Sequence, residues 1–403
     1  MQSAYRKYRS VETALLRVYN DLLLAADEGR EAVLVLLNYS AAFDTIDHHI
    51  MLQRLHHRFG INDSALEWFT SYFANRQQSV LINQISSPSH NVNTGVPQGS
   101  VLGPLCFTMY KSPLEDLIAS YGVSCMIYAD DIQLYVTMTE QQRPDVIQQL
   151  ESCLTHIQSW STANKLKLNS DKTEVIHITS QFKQHTPIES LRISDCCTRP
   201  VTCARDLGTI ITSNLRMQNQ VNNICRSSYL ALHKIGQILN FLDKQTTEKL
   251  VHAFISCRLD FCNSLLHCIP DSQTSKLQRI QNSAARLVTR SSSRQHITPI
   301  LRSLHWLPVN ERIVFKILLL THKCIHGSAP AYLRELIQLY KPQRTLRSSS
   351  TLLLSTPVTR TKTYGHRSFM HASPSLWNSL PHHIRTVTSE NEFKSLLKTH
   401  LFH

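Results

Sequence analysis

Glycine is scarce in this chain, ten residues in 403, about a third of the roughly 7% usual in globular proteins. That rules out collagen-like and flexible glycine-rich architectures. Long hydrophobic runs are missing too. Stretches such as Val33 to Leu37 and Ile317 to Leu320 fall far short of the roughly 18 residues of a membrane span. The opening MQSAYRKYRS is polar and basic, without the apolar stretch of a secretory signal. An intracellular protein is expected, of nucleus or cytoplasm, with no membrane partner. The eleven cysteines are odd in number and scattered, which argues against a disulfide framework. Acidic residues are sparse in one region only. Residues 271–403 carry 19 Lys and Arg against five acids, whereas the first 270 carry 23 against 24. The overall charge of +13 favours a polyanionic partner, nucleic acid first and an anionic membrane surface second.

What is present suffices for a folded protein of two or three domains, since 42% of residues are hydrophobic and 18% charged. Ser10 is a fitting N-cap for a helix that runs to about Glu28 and ends at Gly29. Ala32 to Leu37 is a continuous apolar run, expected to be a strand buried on both faces. Helices follow over about 47–59 and 64–76, then a strand from Gln77 to Ile85 and a helix over about 100–119. Apolar Val123–Tyr128 and Ile132–Val136 flank a tight Ala-Asp-Asp turn and predict a β-hairpin. A helix over about 144–164 and strands near 174–179 and 205–211 complete this part. Beyond about 215 the pattern is helical, at about 217–239, 245–258, 272–289, 309–326, 330–340 and 389–401, with a Ser/Thr/Arg/Pro-rich loop over 341–373. Strands mixed with helices, followed by helices alone, give an α+β fold with an all-helical continuation.

Four blocks carry the chemistry. The buried strand ends in Asn38-Tyr39-Ser40-Ala41-Ala42-Phe43-Asp44. Gly95-Val96-Pro97-Gln98-Gly99-Ser100-Val101-Leu102-Gly103-Pro104 holds three of the ten glycines, in a turn whose backbone N–H groups can approach a phosphate or a template strand. It is not a P-loop, because no Lys-Ser/Thr pair follows. Tyr128-Ala129-Asp130-Asp131 sets two carboxylates side by side. In a low-dielectric site these repel unless a cation neutralises them, and magnesium, with its preference for carboxylate and phosphate oxygens, suits the task. Leu168-Asn169-Ser170-Asp171-Lys172-Thr173 is the fourth block.

In this order and spacing the blocks resemble the reverse transcriptases of non-LTR (LINE-type) retrotransposons. Gln2 to Lys7 resembles the fingers segment, with Ala4-Tyr5 where Gly-Phe is usual. Ala41 to His48 resembles the first palm block, GVPQGSVLGP and YADD the second and third. Leu207-Gly208 falls where the primer grip follows. His296 to Leu301 with Leu304 to Pro308 resembles the C-terminal region of these elements. The resemblance implies a right-hand polymerase palm with partial fingers, then a helical thumb and C-terminal region. Residues 1–30 would be partial fingers, 31–212 the palm with fingers elements, 213–270 the thumb and 271–403 a basic C-terminal region. It implies RNA-directed DNA polymerase activity with two magnesium ions, an RNA template, a DNA primer or target, and deoxynucleotides. Asp130, Asp131 and the Tyr39 carbonyl would hold metal. Phe43 would be the steric gate against a ribose 2′-hydroxyl, and Gln98 and Gly99 would line the template and nucleotide pocket. Lys172 would protonate or neutralise the leaving pyrophosphate. Arg6 would reach the triphosphate.

The chain departs from the family at Asn38, where an aspartate normally bridges both metals. If metal assistance is worth several kcal/mol, the missing charge could cost about three orders of magnitude in rate. Asp44 and Asp47 lie past the strand end and are poor substitutes. The fingers look truncated and the family's endonuclease domain absent. Two functions therefore stay open, a polymerase impaired by Asn38 and incomplete fingers, and an inactive nucleic-acid-binding remnant. Cys257, Cys262, His267 and Cys268 match no common zinc spacing, and His322 and His326 lie one helical turn apart. Trp306 reads as a packing anchor.

Overall fold

The computed structural model describes residues 2–40, 43–97, 99–183, 185–193, 196–341 and 352–402. Ala41, Ala42, Gln98 and part of the expected 341–373 loop lie outside the described residues. The chain forms two compact units. One comprises Met1–Lys7, Val33–His177 and Thr186–Val201, the other Tyr8–Ala32, Ile178–His185 and Thr202–His403.

The second unit begins with α1 (Val11–Asp27). Ser10 and Thr13 cap it reciprocally, each side-chain oxygen accepting from the other's backbone N–H at 3.2 and 2.9 Å, which satisfies two otherwise unpaired donors. The first unit is built on β1 (Glu31–Leu37), buried at every position. Val33, Val35 and Leu37 point into a core shared with Met51 and Leu55 of α2 (His48–Phe59), as the two-residue period of a strand requires. β2 (Tyr39–Ser40) follows β1 in sequence and belongs to a separate two-stranded sheet. Asp47 accepts from Ile50 N at 3.0 Å, and Gly60, left-handed at φ 65°, ends α2.

After α3 (Asp63–Phe73) the structure departs from the strand expected over 77–85. β3 (Gln77–Gln78) pairs with β6 (His90–Asn91), and β4 (Leu81–Ile82) with β5 (Ile85–Ser86). The run folds back on itself because Asn83 and Gln84 take positive φ of 46° and 68°. The expected helix over 100–119 is likewise two, α4 (Gly103–Tyr110) and α5 (Pro113–Ser120). Pro113 donates no hydrogen bond and opens a new helix instead of continuing the old one.

β7 (Ser124–Tyr128) and β8 (Asp131–Met138) form the expected antiparallel hairpin, closed by the pair Tyr128–Asp131. Past α6 (Arg143–Ala163), β9 (Lys167–Leu168) pairs with β2, and β10 (Glu174–Ile178) completes a sheet of order β10-β1-β8-β7. The core packed on this sheet includes Phe107 and Tyr110 of α4, Leu114 and Ile118 of α5, and Leu150, Leu154 and Ile157 of α6.

In the second unit the strand expected at 205–211 is a hairpin, Cys203–Asp206 with Thr209–Thr212. Leu207 and Gly208, at φ 44° and 86°, make its two-residue turn. Helices follow: α7 (Gln218–Gln237), α8 (Lys244–Val251), a π turn over His252–Ser256, α9 (Cys257–Asp260) and α10 (Asp271–Thr289). The helix expected at 330–340 shortens to Ala331–Arg334, while Phe369–Ser379 is a helix the sequence did not suggest. Its Trp377 packs with Leu318, Phe393 and Leu397 in a separate core. The α+β class expected from the sequence is the one observed. Among the described residues no helix is long and apolar enough to cross a membrane.

Candidate active site

The two aspartates sit at the tip of the β7–β8 hairpin. Ala129, at φ 54°, takes the left-handed conformation that lets the turn close in two residues and sets Asp130 and Asp131 next to each other. Both are half-buried. Asn38, at the end of β1, donates from Nδ2 to Asp131 Oδ1 at 2.7 Å. The Asp131 carboxyl is held above its ordinary pKa, first by burial and further by Asp130; the Asn38 hydrogen bond and the charges of Lys111 and Lys172 oppose this. Burial therefore wins over every local donor and cation. A carboxylate pair in that state gains strongly from an added positive charge.

The fourth sequence block reaches the same corner through the backbone. Asn169 N donates to the Asn38 carbonyl at 2.8 Å, and Tyr39 pairs with Leu168 across β2–β9. The Asn169 side chain accepts from Lys172 N at 3.2 Å and caps the short turn Ser170–Lys172. Lys172 is exposed, and its charge acts on Asp131. Asn38, Asp131 and Lys172, far apart in sequence, thus lie at one corner with Asp130.

The glycine-rich block is tied to the first palm block. Gly95 N donates to Ile46 O at 2.7 Å and Val96 N to Phe43 O at 2.9 Å. Gly95 is left-handed at φ 84°, and a Cβ there would lie 2.9 Å from the Asp44 backbone, so no other residue fits. Gly99 shares the left-handed φ, 85°, but a Cβ would meet nothing within 4 Å. The first glycine serves the protein's own packing, and the second faces open space. Gln98 between them lies outside the described residues. Phe43 stacks obliquely on Phe107 with ring centroids 5.2 Å apart. Asp47 caps α2, as its place at a helix start suggested. Arg6 is exposed, and among the described residues no hydrogen bond or ion pair joins it to the carboxylates.

One residue here was not singled out from the sequence. Lys111, at the end of α4, is only 2% exposed. Its ammonium lies 4.9 Å from the Phe107 ring centre and has no hydrogen-bond partner among the described residues. Burial pulls its pKa down to about 7, against the upward pull of Asp130, Asp131 and Glu115. When protonated, this amine is a cation with no direct partner among the described residues, buried within the field of the carboxylate pair, and it then partly offsets their repulsion. The only sequence signal was a lone lysine between two apolar helical stretches, with no diagnostic spacing.

Residues 1–211 match the family model described as reverse transcriptase (RNA-dependent DNA polymerase). The chain belongs to the reverse transcriptase family. This reverse transcriptase is 25% identical over 293 residues to the "Probable RNA-directed DNA polymerase from transposon X-element" of Drosophila melanogaster, covering 72% of this chain and 32% of that one. It is 22% identical over 321 residues to the corresponding protein "from transposon BS" of the same species, covering 77% and 35%. It is of the non-LTR, LINE type. The chain spans about a third of the length of these relatives. A solved structure of apo telomerase from Candida tropicalis aligns at a TM-score of 0.41 with 10% identity, over 81% of this chain and 54% of that one.

Proposed function

We propose that the chain transfers deoxynucleotides to a primer 3′-hydroxyl under the direction of an RNA template. The observation that carries this is the convergence of Asn38, Asp130, Asp131 and Lys172 at one corner of a reverse transcriptase unit. In this proposal residues 31–212 are the palm with fingers elements, 1–30 part of the fingers, 213–270 the thumb and 271–403 a nucleic-acid-binding region. The two adjacent carboxylates fit one magnesium ion, which takes one or two carboxylates and completes its shell with water and phosphate oxygens. They do not supply the third carboxylate that would bridge two ions, and Asn38 offers a neutral amide instead. When bound, such an ion neutralises the triphosphate and lowers the pKa of the primer hydroxyl.

The protein's own groups do the rest. Asp130 and Asp131 orient the reacting oxygens, and Asn38 fixes Asp131 by its hydrogen bond. The primer hydroxyl gives up its proton to solvent water as its oxygen bonds to the α-phosphorus and the bond to pyrophosphate breaks, and Lys172 protonates or neutralises that leaving group. Phe43, backed by Phe107, blocks the space of a 2′-hydroxyl, and Lys111 lowers the repulsion between the two carboxylates. Tyr39 contributes its carbonyl, Gly99 leaves room for the incoming nucleotide, and Gln98 and Arg6 are assigned to template and triphosphate.

Primer extension on an RNA template with magnesium tests this, comparing the chain as written with Asn38→Asp and with Asp130→Ala. The expected order is Asn38→Asp faster than the natural residue, and Asp130→Ala inactive in either background. Failure of Asn38→Asp to extend any primer would refute a polymerase function and leave a nucleic-acid-binding remnant.

A further inference from the structure

The second unit holds a cavity of about 350 Å³ whose lining includes Arg216, Lys362 and Arg367 and no carboxylate among the described residues. Arg367 is only 8% exposed. Three neutral acceptors anchor its guanidinium: Leu215 O at 2.9 Å, Thr363 O at 3.2 Å and the Tyr19 hydroxyl at 3.0 Å. Its Nε is buried and has no partner among the described residues. Among those residues Arg367 forms no ion pair. A buried guanidinium held only by neutral groups is a charge that an arriving anion would compensate.

Arg216 and Lys362 stand exposed at the same cavity. One wall is the first turn of α10, where Gln273 N and Thr274 N donate to Pro270 O at 2.8 and 3.2 Å; Asp271 belongs to that turn but does not line the cavity. The surroundings register the same field. His267 is pushed down to about 4, first by burial and then by the positive charges of His371, Arg367 and His366.

We infer that this cavity is a phosphate-binding site, and that its occupant is a backbone phosphate of the nucleic-acid strand. Three cations lining a cavity with no carboxylate among its described lining residues make a site for an anion, and the guanidinium fork matches phosphate oxygens. The volume exceeds what inorganic phosphate alone fills and admits the flanking sugar. The assignment to a strand rests on the proposed nucleic-acid function of this reverse transcriptase; the anion site itself does not.

The test is binding of a labelled single-stranded RNA to the full chain across a salt series, read by fluorescence anisotropy. The variants are Arg216→Gln/Lys362→Gln, both at exposed positions, and the control Arg279→Gln/Arg334→Gln, which removes two exposed charges outside the cavity. The cavity variant should bind about tenfold more weakly, and its log K against log salt slope should fall by about 0.7 per lost phosphate contact, the control losing clearly less. Arg367→Lys, which keeps the charge and loses the fork, should weaken binding too, with folding checked by circular dichroism. Equal losses in cavity and control variants, or no loss in the cavity variant, would overturn the site while leaving nucleic-acid binding intact. Absence of RNA binding by the unmodified chain would overturn both. Inorganic phosphate at constant ionic strength separates the sources. If it raises the melting temperature of the unmodified chain and not of the cavity variant, while RNA affinity is unchanged, the site takes free anions and the strand assignment is wrong.

Discussion

Two buried or half-buried aspartates, one in each unit, show opposite uses of the same side chain. Asp27, at the end of α1, accepts from Arg360 N at 2.8 Å, Thr361 N at 2.7 Å, Thr361 Oγ1 at 2.7 Å and Gly365 N at 3.2 Å. Those donors outweigh burial and hold its carboxyl below the ordinary range. Asp131 has one side-chain donor in the corner, Asn38, and burial holds it above that range. The first carboxylate is saturated by the chain itself and needs nothing further. The second is left short of donors among the described residues, so its charged form is the costlier one, and an external cation of the kind proposed above would favour that form.

The largest effects should separate the two. Asp130→Ala should reduce extension in the Asn38→Asp background by about 10³-fold or more while hardly moving a urea melt. Asp27→Ala should do the reverse, lowering stability by about 3 kcal/mol with activity per folded molecule unchanged. The comparison breaks if Asp27→Ala silences a protein that is still folded.

Gly365 gives a sharper probe of the saturated site. A Cβ there would lie 2.5 Å from Thr359 Cβ and 2.7 Å from Asp27 Oδ2, so Gly365→Ala should destabilise by about 2 kcal/mol without lowering extension by the folded fraction. Lys111→Met probes the other. Replacing a buried ammonium by an isosteric apolar chain should raise stability by about 1–2 kcal/mol, yet slow extension about tenfold as carboxylate repulsion returns. A variant both more stable and equally fast would remove Lys111 from the site.

The smallest effect is in pH. Asp27, with its carboxyl lowered, contributes stability that is present above the ordinary carboxylate pKa and is lost as pH falls through its folded value. Asp131, raised, carries a penalty above its folded pKa that is relieved as pH falls toward the ordinary value. Acid should therefore narrow the stability gap between the unmodified chain and Asp27→Asn, and reduce the advantage of Asp131→Asn. Parallel shifts in urea midpoints between pH 3 and 6 would contradict the contrast.

The parts of the site legible in the sequence are those that depend on neighbours along the chain. The hairpin follows from two apolar strands around Ala-Asp-Asp, and the helix caps at Ser10 and Asp47 follow from residue type. The split of 100–119 was encoded in Pro113, but the apolar spacing on either side outweighed it. The hairpin over 203–212 was missed because Leu207, a residue that seldom adopts positive φ, occupies the turn beside Gly208. The helix Phe369–Ser379 was masked by Pro374 and a polar flank, and packing of Trp377 overrides that weak propensity. Lys111 and Arg367 were illegible for another reason. Their roles depend on which acids and acceptors surround them in space, and one-dimensional charge counts assign both to ordinary basic surface. The count did locate the excess charge in the last third, where Lys362 and Arg367 lie.

The hydrogen bond from Asn38 to Asp131 bears on how such a site changes over generations. An aspartate in place of Asn38 would remove that donor and add a third negative charge beside two carboxylates, where Lys111 and Lys172 are the cations acting on Asp131 among the described residues. Folding alone therefore favours asparagine, whereas the polymerase proposed above would favour aspartate. If Asn38→Asp speeds extension as predicted, the asparagine exchanges rate for a less strained corner.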